Sequence, residues 1–212
     1  MDDTTPWRLL PPGFAEIEQA AARIRGVLRE TPLLESERLN RRLHGRLLVK
    51  AEGLQLTSSF KAQGAWNRLS LLTGEERERG VASFSSGNHG QAVAWAAGRL
   101  GVRRAVVAMP ANAPATKVEA TRGWGGEVML YDRATENRET VGRKLAAEHG
   151  LTLVPPYGDR RVVAGAGTRG AEIARQSAEM GAEPETLVLC FGGGLARGPA
   201  RRPMPLNRRN AP

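Results

Sequence analysis

Residues 81–110 read VASFSSGNHGQAVAWAAGRLGVRRAVVAMP, and this stretch decides the fold. Val81-Ala82-Ser83-Phe84 is a short apolar run that reads as a strand. A polar turn follows, and Gln91 to Leu100 has the composition of a helix closed by Gly101. Ala105 to Met109 is a second apolar run, stopped by Pro110. A strand, a helix and a strand in this order predict a βαβ unit and a parallel sheet. Ala105–Met109 has no polar alternation, which suits a strand buried on both faces.

The same rhythm extends in both directions. Upstream, Phe14, Ile17, Ala21, Ile24 and Leu28 recur at three- and four-residue steps and predict an amphipathic helix. Thr31-Pro32 ends it, because a residue before proline avoids the helical region. Ser36 caps a short helix through Leu43 that Gly45 stops, and Leu47–Lys50 reads as a strand. Lys61 to Leu72 reads as a helix after the polar Thr57-Ser58-Ser59. Downstream come helix Pro114–Arg122, strand Glu127–Tyr131, helix Thr135–His149, strand Leu151–Val154 and a helix within Gly167–Met180. Leu187–Cys190 is expected as a further buried strand. The reading is an α/β fold.

Composition narrows the function classes. In 212 residues, 41% are hydrophobic and 25% charged, which excludes wholesale disorder. Glycine supplies 25 residues, nearly twice the average usage of about 7%, which suggests tight turns and backbone-lined ligand loops. A single cysteine, Cys190, excludes an internal disulfide framework and a multi-cysteine zinc site. No run reaches the ~18 apolar residues of a membrane span. Met1–Pro6 is acidic and lacks an apolar signal core, so the expectation is a cytoplasmic protein. The net charge of +9 falls to +4 without residues 197–212, which hold five arginines and no acid. The basic balance is therefore partly a property of this segment and poor evidence for a nucleic-acid surface. Four prolines after Gly198 break the periodicity. Residues 197–212 read either as a disordered basic tail or as an abnormal end of the gene product.

Three motifs carry chemistry. In Ser58-Ser59-Phe60-Lys61-Ala62-Gln63-Gly64-Ala65, Lys61 stands at a helix start, where the partial positive charge disfavours an ammonium. With burial, this favours a nucleophilic amine able to form a Schiff base with a carbonyl cofactor. The alternative is an ordinary surface lysine. Ser85-Ser86-Gly87-Asn88-His89-Gly90-Gln91 joins a strand to a helix and offers backbone N–H groups to an anion. Ser86 is a candidate for proton exchange there and Asn88 for a ring hydroxyl; the alternative is a capped helix start with no ligand. Phe191-Gly192-Gly193-Gly194-Leu195 follows a strand and suits a phosphate, although a flexible loop reads the same way. It lacks the Walker and dinucleotide-binding patterns. His89 has no metal-ligand partner at a suitable spacing, and His44 and His149 read as surface residues. Together the three motifs match pyridoxal phosphate.

With these blocks the sequence resembles the serine/threonine dehydratases of the tryptophan-synthase-β-like group, the fold type II pyridoxal-phosphate enzymes. The resemblance spans about Phe14 to Leu195. It also rests on Thr31-Pro32-Leu33, Glu52-Gly53-Leu54-Gln55, Met109-Pro110, Ala113-Pro114 with Lys117, Gly125-Gly126-Glu127-Val128 and Gly165-Ala166-Gly167-Thr168. It implies that Lys61 carries the cofactor, with Phe60 near its ring and Asn88 on its 3′-hydroxyl. Gly192, Gly193, Gly194 and Leu195 would hold the phosphate. Ser85, Gly87 and His89 would hold the substrate carboxylate, and Ser86 matches the second acid/base of related racemases. No metal site is expected.

The implied reaction is β-elimination on a small amino acid, L-threonine or L-serine, by a chain that could form a homo-oligomer. A racemase-like activity and an inactive, C-terminally truncated fragment are the alternatives. Phe191 replaces a glycine of the phosphate loop, Ala166 a glutamine, and Ser58 a common glycine. Family members continue beyond this point with further parts of the large domain. The resemblance thus implies a two-domain parallel-sheet fold with the large domain incomplete. Residues 80–156 would form the small domain, and residues 1–79 with 157–196 the large one.

Overall fold

The structure, a computed structural model, describes residues 11–189. Its centre is a parallel sheet of four strands: β3 (Val81–Phe84), β4 (Ala105–Pro110), β5 (Glu127–Tyr131) and β6 (Thr152–Leu153). The spatial order is β5-β4-β3-β6. Val81 lies beside Ala105 on one side and Thr152 on the other, which fixes the register of β3. Every residue of β3 and β4 is buried, as the unbroken apolar runs require.

Three crossover helices link these strands: α5 (Asn88–Arg99), α6 (Ala115–Gly123) and α7 (Arg138–Glu148). Successive residues of a strand face opposite sides. Val81 accordingly joins a cluster with Val93 and Trp95 of α5, whereas Ala82 and Phe84 pack with Val141 and Leu145 of α7. The first cluster also takes in α1 (Phe14–Ile24) through Ile24 and α3 (Lys61–Ser70) through Ala62, Trp66 and Leu69. The Trp66 and Trp95 rings meet 5.4 Å apart. A long final helix, α8 (Arg160–Glu179), lies against α3 and α1.

The α3–α8 contact depends on two glycines. A Cβ on Gly165 would lie 2.4 Å from the Gln63 carbonyl oxygen, and one on Gly64 would lie 2.8 Å from the Val162 carbonyl oxygen. Both obstacles are backbone, so only glycine allows the helices to approach this closely. Side-chain caps set the starts of the flanking helices. Asn137 accepts from the Glu139 and Thr140 N–H groups at α7, and Asp159 from Arg161 and Val162 at α8.

An antiparallel pair, β1 (Leu33–Glu35) and β2 (Leu48–Lys50), stands apart from the main sheet. The pair brackets α2 (Glu37–Leu43). Lys50 ties it to α8 by donating to Glu172 at 2.5 Å, Gln176 at 2.9 Å and the Thr31 carbonyl at 2.6 Å. A short helix α4 (Gly74–Arg79), closed at its start by a Thr73–Glu76 capping box, leads into β3.

Several sequence expectations need correction. The first helix ends at Ile24 because Gly26 turns left-handed with φ +77°, although Leu28 beyond it is still buried. His44, not Gly45, takes the left-handed position that ends α2. The last helix begins at Arg160, well before Gly167, because Asp159 caps it, while Gly165 lies against α3 and Gly167 against Ile17 of α1. Leu187–Leu189 forms no strand, and Val188 is 87% exposed. Among the described residues no neighbouring strand pairs with that segment, and a strand needs such a partner. Cys190 lies outside the described residues. No helix among the described residues is long and apolar enough to cross a membrane.

Candidate active site

Strands β3, β4 and β5 follow one another toward one edge of the sheet, and β6 then returns to the far side of β3. At such a reversal, the loops leaving the carboxyl ends of neighbouring strands diverge and open a crevice. Here the loop after β3 carries Ser85, Ser86 and Gly87, and the loop after β6 carries Pro156 and Tyr157. They border a cleft of about 400 Å³, which Lys61, Phe84, Asn88, His89 and Arg138 complete. The topology thus brings Lys61 to the second motif, Ser85–His89.

Lys61 is the first residue of α3. Its amine donates to the Pro156 carbonyl at 2.9 Å and lies 5.1 Å from the centre of the Phe60 ring. No carboxylate among the described residues forms an ion pair with it. Burial, and secondarily the charge of Arg169, push the amine from the ordinary 10.5 down to about 8. The loop before it explains the common glycine of the family at position 58. Ser58 has φ +52°, a left-handed conformation that glycine adopts without strain.

The Ser85 N–H continues the sheet ladder to the Ala108 carbonyl at 2.9 Å, and the Ser85 Oγ accepts from the Gly87 N–H at 3.1 Å. Helix α5 opens at Asn88, three residues earlier than its apolar pattern predicts. Its N-terminus therefore faces the cleft with the Ser86–Asn88 turn. Asn88 Oδ1 accepts from the Lys117 ammonium at 2.7 Å. Lysine only donates, so this bond fixes the amide orientation and leaves Asn88 Nδ2 as the donor.

His89 is fully buried, and its Nε2 donates to the Val154 carbonyl at 3.2 Å. That carbonyl also accepts from Ser83 Oγ at 2.7 Å. Burial, reinforced by the charge of Lys61, holds the imidazole down at about 3, so it is neutral. The Val154 carbonyl takes the ring's single N–H, and Nδ1 has no partner.

Sequence reasoning missed the rest of the lining. Arg138 lies 5.2 Å over the Tyr157 ring, and the Tyr157 hydroxyl donates to Glu139 at 2.5 Å. Burial first, then the Glu139 contact, raise that phenol above its usual range. These residues enter the cleft only because β6 lies beside β3, and no local pattern signals that neighbour. Phe60 does not line the cleft itself but supports Lys61. Gly192, Gly193, Gly194 and Leu195 lie outside the described residues. Among the described residues no group of three or more His, Cys, Asp or Glu side chains could hold a metal.

The α/β fold is that of the fold type II pyridoxal-phosphate enzymes. Residues 24–202 match the family of pyridoxal-phosphate dependent enzymes, and the chain belongs to it. It is 43% identical over 192 residues to the L-threo-3-hydroxyaspartate ammonia-lyase of Saccharomyces cerevisiae, covering 91% of this chain and 58% of that one. It is 38% identical over 186 residues to the serine racemase of Schizosaccharomyces pombe, covering 88% of this chain and 56% of that one. Among solved structures, a T.th. threonine deaminase superposes with a TM-score of 0.74 at 43% identity, covering 82% of this chain and 54% of that one. The chain spans little more than half the length of these relatives.

The residues present fit the family's cofactor. A cleft amine held near neutrality without a carboxylate partner suits an aldehyde. Asn88 lines the same cleft with its Oδ1 occupied by Lys117, which leaves an amide donor of the kind a ring hydroxyl can use.

Proposed function

We propose that this cleft serves a pyridoxal-phosphate-dependent β-elimination. L-Threonine would yield 2-oxobutanoate, and L-serine pyruvate, each with ammonia. The single observation that carries the reading is the Lys61 amine, bonded to a backbone carbonyl and not to a carboxylate, in the same cleft as Ser85–His89. The cofactor, when bound, supplies an electron sink that stabilises negative charge at the substrate Cα.

The chain's own residues do the rest. Lys61 and Ser86 are the catalytic pair: Lys61 takes the Cα proton, and Ser86 exchanges a proton as the second acid/base. Phe60, Lys61 and Asn88 hold the cofactor, with Gly192, Gly193, Gly194 and Leu195 assigned to its phosphate. Ser85, Gly87 and His89 hold the substrate carboxylate. The His89 ring is engaged with Val154, so His89 would contribute its backbone N–H at the α5 N-terminus. On this reading residues 80–156 form the small domain, and residues 1–79 with 157–196 belong to the large one.

A second reading has its own support. Among the described residues Arg138 lines the cleft and no acidic side chain does, which suits an amino acid with a second carboxylate, such as a 3-hydroxyaspartate. Racemisation through Lys61 and Ser86 is the third activity to assay.

The test is an absorption spectrum of the folded chain with added pyridoxal phosphate, beside Lys61→Ala. A band that requires Lys61 supports the reading. Release of ammonia and 2-oxo acid from serine, threonine and 3-hydroxyaspartate then separates the substrates. No Lys61-dependent band in folded protein overturns the reading.

A further inference from the structure

We propose that Arg169 is a positioning residue for Lys61, its guanidinium, seated over the same Phe60 ring that the amine approaches, favouring loss of the amine's proton by charge repulsion. The inference rests on the reading of Lys61 as the nucleophile. The Arg169 guanidinium carbon lies 4.3 Å from the ring centre and the Lys61 amine 5.1 Å from the same centre. The two cations are therefore no more than about 9.4 Å apart.

That separation is built into the backbone. Arg169 Nε donates to the Ala166 carbonyl at 3.1 Å, which holds the head group against its own helix. Gly64 and Gly165 lock that helix to α3, whose first residue is Lys61. The arginine charge is permanent, whereas the lysine can lose its proton. Repulsion is relieved only by deprotonation of Lys61, which yields the nucleophilic amine.

The other groups facing Lys61 do not reverse this. From α5 comes His89, which is neutral. From α7 comes Arg138, and from the loop after β6 comes Tyr157, whose hydroxyl is bonded to Glu139. Lys117 of α6 is reached through Asn88. The cleft's own charge is positive, and Arg169 adds to it from α8. Burial first, and then the Arg169 charge, lower the Lys61 amine below its ordinary range.

The experiment uses the full chain without cofactor. Trace acetylation with labelled acetic anhydride from roughly pH 6 to pH 11 spans the titration, and peptide mass spectrometry reads labelling at Lys61. Arg169→Met keeps a stem over Phe60 but removes the charge. Its profile is expected to move up by roughly 0.5–1 pH unit, the screened Coulomb effect at this separation. Labelling at neutral pH would fall by roughly three- to tenfold. Arg169→Lys should restore most of the wild-type profile, which a purely structural role would not produce.

Superimposable profiles for wild type and Arg169→Met overturn the proposal. Should Arg169→Met not fold, salt decides. Raising ionic strength from roughly 0.02 to 0.5 M should move the wild-type profile upward, and an unmoved profile overturns the proposal. The readout needs no cofactor, so failure of the spectral test with pyridoxal phosphate is a separate result.

Discussion

Replacing Lys61 with methionine should stabilise the cofactor-free protein at neutral pH, and the gain should vanish in alkali. The amine titrates near 8 in the folded protein against an ordinary 10.5. At pH 7 it is protonated in both the folded and unfolded chains. At about 1.4 kcal/mol per pH unit, holding that charge in the cleft costs on the order of 3 kcal/mol. Methionine has similar length and no charge, and it forfeits the hydrogen bond to the Pro156 carbonyl, worth about 1 kcal/mol. The variant should therefore be more stable by about 2 kcal/mol at pH 7.

Above pH 8 the folded amine loses its proton while the unfolded amine keeps it until about 10.5. Over that window the unfolded state binds more protons, so wild-type stability rises with pH relative to the variant. By pH 10 about 2.5 kcal/mol of the penalty should be gone, which brings the two proteins close together. Urea unfolding followed by far-ultraviolet circular dichroism at both pH values measures the difference. Other ionisable groups cancel between the two proteins, because Arg169 stays charged and His89 stays neutral throughout. A stability difference that stays flat between the two pH values would refute the claim that Lys61 is held near neutrality.

Three further outcomes are expected. Ser58→Gly should raise stability by about 0.5–1 kcal/mol, because glycine carries φ +52° without strain; an unchanged urea midpoint would count against strain there. Gly165→Ala should cost about 2–3 kcal/mol, since its Cβ would meet the Gln63 carbonyl oxygen at 2.4 Å; a thermal melt unchanged from wild type would show that α3 and α8 can separate cheaply. His89 is held at about 3 against an ordinary 6.5, so the unfolded chain binds a proton that the folded chain refuses, and stability is lost as pH falls from 6.5 toward 3. His89→Gln keeps a donor for Val154 and should show a shallower loss between about pH 6.5 and pH 4 in acid-dependent urea unfolding; parallel slopes would refute the buried neutral imidazole.

What was legible in the sequence is what is local. Val81–Phe84 and Ala105–Met109 read as buried strands because burial on both faces leaves an unbroken apolar run. Lys61 and Ser85–His89 were legible because a helix start and a strand-to-helix turn are spelled out in consecutive residues. Leu187–Cys190 has the same apolar signal as Ala105–Met109, yet Leu187–Leu189 forms no strand, because pairing is a property of the neighbour and not of the run. The start of α8 was missed because its early residues include Gly165, which lets α3 approach, and Gly167, which lies against α1, so contact overrode propensity.

The partner loop of the cleft was equally hidden, since no periodicity says that β6 lies beside β3. Once that pairing is known, His89 changes meaning. In sequence it reads as a ligand-binding histidine beside Asn88. In the fold its ring and the Ser83 hydroxyl both donate to the carbonyl of Val154, the residue that follows β6. His89 thereby ties the start of α5 to the end of β6, and these are the two points from which the cleft's opposing walls depart. The side chain that looked chemical is a strut, and two residues beyond its anchor the Pro156 carbonyl accepts from Lys61.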